Sequence, residues 1–268
     1  MEPILHYTIL FITGILSGTA SGLFGVGGGF LMTPVQFWLY ITGGVDSTDA
    51  TRLAFGTSLA VMIPTMISGA LSHHRRGAVN WHAAVTMGCA AVFGGFAGGT
   101  LAAHLPGFVL RAFFALLLIG MALRMIWHIH SCEVCEPSGS TPIYILTGFF
   151  IGIVSGLAGI GGGILLVPIL VILLGYPMHS AVGTSSACLI FSSSGAVAAY
   201  IVNGLGTPGL PVWSFGYVDL AGFAILAAAT IPLAGFGVRC AHGCSGRKLQ
   251  IIFAGALVLI GGLMLVTG

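Results

Sequence analysis

Charged residues are scarce in this sequence. Only eight Lys or Arg and six Asp or Glu residues occur among 268, whereas hydrophobic residues make up 57% of the chain. Charged residues amount to 5% of the chain, against roughly 25% in an average soluble domain, and the mean hydropathy is +1.08. Such a chain has too few polar side chains to cover a water-exposed surface. The composition therefore excludes a soluble globular protein and predicts an integral membrane protein.

The sequence also lacks the regular alternation of polar and apolar residues that membrane β-strands show. Its apolar segments are long enough for membrane helices, which need about 20 residues, so we predict an all-α, polytopic membrane protein. A catalytic triad, a Walker nucleotide-binding loop and a dinucleotide-binding fingerprint are absent from the sequence. We therefore expect no enzyme activity, no cofactor, no nucleic-acid partner and no ATP-driven transport by this chain alone.

Glycine, by contrast, is abundant, and its densest cluster occurs twice. Residues 21–34 (SGLFGVGGGFLMTP) return as residues 155–168 (SGLAGIGGGILLVP), with nine of fourteen positions identical. Three consecutive glycines destabilise a helix by roughly 1 kcal/mol each relative to Ala. Their recurrence at matching positions indicates that both turns use their bare backbone, and that the chain consists of two related halves.

The apolar segments follow the same order in both halves. We place a first transmembrane repeat at 1–128, a cytoplasmic linker at 129–141 and a second repeat at 142–268. The motif Gly-Thr-Ser also recurs, at 56–58 and 183–185. The predicted segments are 4–23, 30–42, 53–71, 81–103 and 108–127 in the first half, and 143–158, 164–175, 179–201, 217–239 and 249–267 in the second.

The number of segments predicts how the halves lie in the bilayer. Each half has about five helical segments, or three spans and a re-entrant hairpin if the glycine turn stops inside the membrane, so we expect about eight to ten membrane segments. Either count is odd, so the halves should have opposite orientations, as in the inverted repeats of many transporters. The distribution of Lys and Arg favours a cell-membrane protein with both termini outside.

The glycine turns are candidate anion sites. A helix N-terminus exposes N–H groups and a partial positive charge, and glycine lets a small anion approach the backbone. We find no basic residue within the apolar bodies of the predicted spans, so backbone and hydroxyl groups should hold the anion. The candidate binding residues are Gly25, Gly27, Gly28 and Gly29 with Gly159, Gly161, Gly162 and Gly163, and the polar residues Gln36, Thr57, Ser58, Thr184, Ser185 and Ser186.

Simpler interpretations of the same residues remain open. The glycines could serve only to let helices cross closely. The intramembrane Ser and Thr hydroxyls could bond to the carbonyl four residues earlier in their own helix, and Gln36 could bond to the backbone of a neighbouring helix.

The repeated motifs resemble those of a known family. The doubled Ser-Gly-Leu-x-Gly-[Val/Ile]-Gly-Gly-Gly-x-Leu-x-x-Pro, the Gly-Thr-Ser of each half and the Gly-x-Val-[Asn/Asp] before a late span are similar to the TauE/SafE family of sulfite exporters. The resemblance covers essentially the whole chain. It implies a secondary transporter of sulfite, an organosulfonate or another small anion.

Two other function classes depend on cysteine and histidine. A membrane thiol–disulfide electron carrier would need a cysteine in matching spans of both halves, and neither Cys89 nor Cys188 has such a counterpart. A metal-ion transporter or a metal site could use the loop pairs Cys132/Cys135 and Cys240/Cys244 with nearby histidines, although this spacing alone is a weak signal. We therefore expect no metal, and a small sulfur-containing anion, the lipid bilayer and possibly further copies of the chain as partners.

Overall fold

The computed structural model describes residues 3–127 and 140–243, together with residues 251, 255, 258 and 259. The predicted linker at 129–141 lies almost entirely outside the described residues, and so does most of the last predicted segment, 249–267. The division of the chain into two repeats at this linker therefore stays a prediction.

The described part of the chain consists of α-helices joined by loops, of which the one at 205–219, between α8 and α9, is the longest among the described residues. Six of these helices are long and apolar enough to cross a membrane, which confirms the predicted all-α, polytopic membrane fold. The glycine turns interrupt the chain after α1 and after α6, where the sequence predicts them. The helices are α1 (Pro3–Phe24), α2 (Gly29–Thr42), α3 (Ser47–His74), α4 (Trp81–His104), α5 (Gly107–Trp127), α6 (Thr141–Ala158), α7 (Gly163–Pro168), which continues as a π-helix (Ile169–Leu173), α8 (Met178–Gly204) and α9 (Leu220–His242).

Three helices begin at side-chain caps. Asp46, Asn80 and Asp219 each precede a helix, and a side-chain oxygen of each accepts a hydrogen bond from a backbone N–H of the first turn. Such a cap satisfies one of the N–H groups that a helix N-terminus leaves without an intrahelical partner. As a consequence α3 begins at Ser47, six residues before the predicted segment, because the cap favours a helix start there.

Helices from different predicted halves pack closely through glycine. α1 lies along α9, and a Cβ atom on Gly18 would stand 2.7 Å from the Cα atom of Thr230. α4 lies along α6 in the same way, because a Cβ atom on Gly152 would stand 2.8 Å from the backbone nitrogen of Gly95. Small residues allow membrane helices to approach this closely. Helices of the two predicted halves therefore pack directly against each other.

The contacts also give the direction of each helix. α1, α3 and α9 run in one direction, because their last turns meet where the His73 ring lies 3.3 Å from the Gly22 carbonyl oxygen and 3.3 Å from the His242 ring nitrogen. α8 runs in the opposite direction, since Gly183 near its start lies against His73. α4 and α6 run parallel to α8. We call the two ends of the bundle the His73 end and, where α9 begins, the Asp219 end.

Equivalent helices of the two predicted halves thus run in opposite directions, α1 against α6 and α3 against α8. One pair of equivalent contacts also matches. The hydroxyl of Thr57 accepts a hydrogen bond from the N–H of Asp219 at 2.9 Å, and the hydroxyl of Thr184 accepts one from the N–H of Asn80 at 3.0 Å. These directions are the ones that an inverted pair requires, and the inverted repeat itself stays a prediction.

Candidate functional site

The two glycine turns have nearly the same backbone conformation. The φ angles of Gly25, Gly27 and Gly28 are 67°, 83° and 73°. The equivalent angles in the second turn, at residues 159, 161 and 162, are 66°, 73° and 83°. These values lie in the left-handed region, where a side chain with a Cβ atom is strained. The turns therefore require glycine for their shape, in addition to any role of glycine in helix packing.

Each turn leads directly into a helix that starts inside the bundle. Gly28 precedes α2 and Gly162 precedes α7, and no side chain caps either helix. The carbonyl of Gly28 accepts a hydrogen bond from the N–H of Met32 at 3.2 Å, and that of Gly162 accepts one from Leu166 at 2.9 Å. Helix N-termini without a side-chain cap favour an anion in that position.

The two turns contact each other. A Cβ atom on Gly29 would lie 3.3 Å from the carbonyl oxygen of Gly159. A Cβ atom on Gly163 would lie 3.1 Å from the carbonyl oxygen of Gly25. The side chain of Met62, in the middle of α3, packs against both turns, because a Cβ atom on either Gly27 or Gly161 would collide with its methyl group. The structure thus brings the predicted glycines of both halves together at one place.

Buried serine hydroxyls adjoin the turns and were not among the predicted site residues. The carbonyl oxygen of Ser21 accepts a hydrogen bond from the N–H of Gly25, and that of Ser155 accepts one from the N–H of Gly159. Ser17 packs against Gly28, and Ser193 against Gly161. Among the described residues, the hydroxyls of these four serines have no hydrogen-bond partner: Ser17, Ser21, Ser155 and Ser193. Ser21 and Ser155 open the repeated motif, so the sequence did contain a signal for this pair.

Gln36 lies on α2 and is completely buried. Its Oε1 accepts a hydrogen bond from the Ser58 hydroxyl at 3.0 Å, and that hydroxyl accepts one from Thr33 at 3.1 Å. Its Nε2 has no partner among the described residues. An unsatisfied buried donor costs about 1–3 kcal/mol, so this amide is a place where a ligand acceptor would add stability.

The remaining predicted hydroxyls are already occupied. Ser185 donates to the Gly25 carbonyl at 2.9 Å and so ties α8 to the first turn. Ser186 donates to the carbonyl four residues earlier in α8, which is the simpler alternative that the sequence left open. Thr57 and Thr184 accept from the backbone N–H groups at the starts of α9 and α4. Ser185, Thr57 and Thr184 therefore hold neighbouring elements together, whereas Ser186 bonds only within α8.

Among the described Lys and Arg residues, Arg111 is buried, and it lies near the start of a span, outside the apolar bodies to which the sequence-based expectation applies. Arg111 is five residues into α5 and only 9% exposed. It donates to the hydroxyls of Ser47 at 2.8 Å and Thr51 at 3.0 Å, and its guanidinium lies 4.8 Å from the centre of the Phe37 ring. The position escaped prediction because it falls near the start of a segment, where charged residues are common.

The His73 end carries a cluster of histidines from three helices. The ring of His242 lies 5.4 Å from that of His73 and 5.0 Å from that of His179. In the described part of the chain, no group of three or more His, Cys, Asp or Glu residues is arranged to hold a metal ion. The described Cys240 is a free thiol, and Cys132, Cys135 and Cys244 lie outside the described residues.

Comparisons with known proteins agree with this architecture. The chain is 31% identical to a probable membrane transporter protein of Methanocaldococcus jannaschii, over 98% of this chain and 97% of the relative. It is 28% identical to a probable membrane transporter protein of Haemophilus influenzae, over 94% and 95%, and 25% identical to one of Bacillus subtilis, over 96% of both.

No solved structure matches the chain. The family model described as "Sulfite exporter TauE/SafE" matches residues 10–264. This match covers nearly the whole chain and both glycine turns, so the protein is a membrane transporter that belongs to the TauE/SafE sulfite exporter family.

Proposed function

We propose that the protein is a secondary transporter, and not an enzyme, that moves sulfite or an organosulfonate across the cell membrane. In this proposal the anion binds where the two glycine turns meet. The observation that carries it is the set of unpartnered buried donors beside two uncapped helix N-termini. The four serine hydroxyls at the turns and the amide of Gln36 would all gain an acceptor from a bound sulfite or sulfonate oxygen.

The chemistry of the site fits a small oxyanion. Hydrogen bonds to a charged group contribute about 1.5–3 kcal/mol each, and the two helix N-termini add a favourable field without a buried cation. Neutral donors also avoid the large cost of keeping an unpaired Lys or Arg in the membrane when the site is empty. A site of this kind can release its ligand as well as bind it.

The arrangement of the helices fits alternating access. α2 runs from the first turn to the Asp219 end, while α7 and its π-helical continuation run from the second turn towards the His73 end. Two elements that meet at the site and lead to opposite ends could open it to each side in turn, as repeats rock in other transporters. We propose the Asp219 end as the outer one, because Arg75 and Arg76 follow α3 at the other end.

The unpartnered serines allow a test with little risk to folding. Replacing Ser17, Ser155 and Ser193 together by Ala removes hydroxyls that bond to no described residue, so the purified variant should keep or raise its melting temperature. Sulfite and methanesulfonate should stabilise the wild type against heating, and the variant should bind the effective anion at least about tenfold more weakly, since each lost bond to an anion corresponds to roughly 1.5–3 kcal/mol.

Ser194→Ala is the matched control, because Ser194 is exposed and bonds to a carbonyl of its own helix. It should bind and move the anion like the wild type in proteoliposomes. If the triple variant binds and transports both anions as well as Ser194→Ala does, the site does not lie at the glycine turns. If neither anion stabilises the wild type or crosses with it, the proposed substrate class is wrong.

A further inference from the structure

The structure contains two equivalent hydrogen-bond groups at opposite ends of the bundle. At the Asp219 end, the N–H of Asp219 donates a hydrogen bond to the Thr57 hydroxyl, and its Oδ1 caps α9. Its Oδ2 accepts a hydrogen bond from the Tyr40 hydroxyl at 3.1 Å. At the His73 end, the N–H of Asn80 donates a hydrogen bond to the Thr184 hydroxyl, and its Oδ1 caps α4. Its Nδ2 donates a hydrogen bond to the Tyr176 hydroxyl at 3.1 Å. We call them the Asp219 latch and the Asn80 latch.

We call α2, and α7 with its π-helical continuation, the two half-helices, because each begins at a glycine turn inside the bundle. Each latch joins the far end of a half-helix to the start of a long helix. Tyr40 lies near the end of α2, whose first residue is at the glycine turn, and α2 has 14 residues, or about 21 Å of helix. Tyr176 lies just after the π-helix that continues α7. Breaking a latch would therefore release the outer end of the element whose inner end forms half of the candidate anion site.

The two latches differ in one group, because a carboxyl replaces an amide. Asp219 is 6% exposed. It forms no ion pair with a described Arg or Lys residue, because the only such pair in the described part of the chain joins Arg52 to Asp49. The Asn80 latch has no such carboxyl, and burial together with the hydrogen bond to Tyr144 raises the pKa of Tyr176 above its ordinary value. The Asp219 latch thus contains a carboxyl group where the Asn80 latch contains a neutral amide.

The carboxyl of Asp219 faces a cavity of about 580 Å³ at its end of the bundle. The other titratable groups around it are Tyr40 from α2 and His6 and Tyr7 from α1, which line the same cavity. From α3, the pair of Arg52 and Asp49 approaches through the hydroxyl of Tyr217, two residues before Asp219. In the proposed function, an anion that enters or leaves at this end would use this cavity, whose lining includes Asp219.

We propose that Asp219 binds a proton from the cavity and that this proton opens the Asp219 end of the transporter to an anion. The proposal rests on the proposed function. Protonation of a carboxylate oxygen removes the like-charge repulsion that a passing anion meets, and such repulsion is large near a low-dielectric interior. It also replaces the charge-assisted hydrogen bond from Tyr40 by a weaker neutral one. Both changes favour opening, so flux through this end should rise as the pH on that side falls.

The Asn80 latch suggests the test. Asp219→Asn gives the Asp219 latch the same neutral side chain as its counterpart, and Asn is as good a helix N-cap as Asp, so the variant should fold. In proteoliposomes loaded with methanesulfonate, whose charge does not change with pH as that of sulfite does, the wild-type flux should increase when the pH is lowered at the Asp219 end. The Asp219→Asn variant should carry anion at every pH at about the rate that the wild type reaches at low pH.

The matched control is Asp46→Asn, which changes the exposed N-cap of α3 and leaves the latch untouched. It should keep the wild-type pH dependence. A second measurement does not depend on the transported anion. Infrared difference spectra of the purified protein between high and low pH contain contributions from all six Asp and Glu residues, so the spectrum of Asp219→Asn is subtracted from that of the wild type. The remainder should contain a carboxylic acid band from Asp219, and the same subtraction with Asp46→Asn in place of the wild type should contain it too.

The outcomes separate this proposal from the one it rests on. If Asp219→Asn keeps the wild-type pH dependence, or is slow at every pH, the carboxyl does not control the Asp219 end. If the wild type and Asp219→Asn gain the same carboxylic acid intensity at low pH, Asp219 does not bind the proton. If the wild type moves neither sulfite nor methanesulfonate while the band behaves as expected, the substrate assignment fails and the proton site stands.

Discussion

The two half-helices begin in the same way and then differ. Both follow a glycine turn with the same φ pattern, and both carry Pro at the same distance from it. α2 continues as one α-helix of 14 residues with Thr33 and Gln36 on it. In the second half the equivalent positions are Val167 and Leu170, and the α-helix gives way to a π-helix after six residues.

This difference separates two properties of the candidate site. The turn geometry belongs to both halves, so the backbone and the helix N-termini can act on an anion from two sides. The polar side chains of the half-helix belong to the first half alone, so a bound anion should be held asymmetrically.

The largest effect is expected from Ala at the residue before each half-helix. Both Gly28→Ala and Gly162→Ala place a Cβ atom at a positive φ angle, which costs about 1–2 kcal/mol. At Gly28 the Cβ atom would also stand 2.6 Å from the Ser17 carbonyl oxygen, which is backbone. At Gly162 it would stand 2.6 Å from a side-chain methyl group of Ile151, and its nearest backbone atom would be the Ile151 carbonyl oxygen at 3.1 Å.

We therefore expect Gly28→Ala to lower the free energy of unfolding more than Gly162→Ala does, and to abolish sulfite transport. Thermal unfolding of the two purified variants and flux in proteoliposomes provide the measurement. Gly44→Ala is a control for the positive φ angle alone, because a Cβ atom there would meet nothing within 4 Å. Equal losses at the two turns would show that the backbone contact at Ser17 does not matter.

A smaller effect is expected from Gln36→Leu, which gives α2 the residue that the second half has at this position. The variant loses the unpartnered Nε2 donor, and a hydrogen bond to an anion contributes about 1.5–3 kcal/mol. Sulfite affinity, measured by titration calorimetry, should fall roughly tenfold to hundredfold. Leu170→Met, a volume-conserving change at the equivalent position, should leave the affinity unaltered. An unchanged affinity in Gln36→Leu would show that Gln36 does not bind the anion and that the site is not asymmetric in this respect.

Much of this comparison could be predicted from the sequence, because its signals are local. Three successive glycines and an apolar segment of about 20 residues have the same meaning wherever they occur. The contacts that complete the site could not be predicted. Tyr40 meets Asp219 across 179 positions in the chain, and Ser193 reaches the second turn only because α8 packs beside it. Single serines and one Arg near a segment end belong to no local sequence pattern that predicts such contacts.

The smallest effect is expected from Thr33→Val, which gives α2 the second residue that the other half has. Thr33 donates to the Ser58 hydroxyl, and Ser58 still has Gln36 as its own acceptor, so the variant loses one hydrogen bond of about 0.5–1.5 kcal/mol and leaves no buried donor unsatisfied. The melting temperature should fall slightly and the sulfite affinity should change by less than about threefold. Thr13→Val, which removes a hydroxyl bonded to its own helix α1, should leave the affinity unchanged. If Thr33→Val instead weakens binding as much as Gln36→Leu does, then Thr33, Ser58 and Gln36 act as one unit, and the asymmetry of the site comes from the whole hydrogen-bond chain.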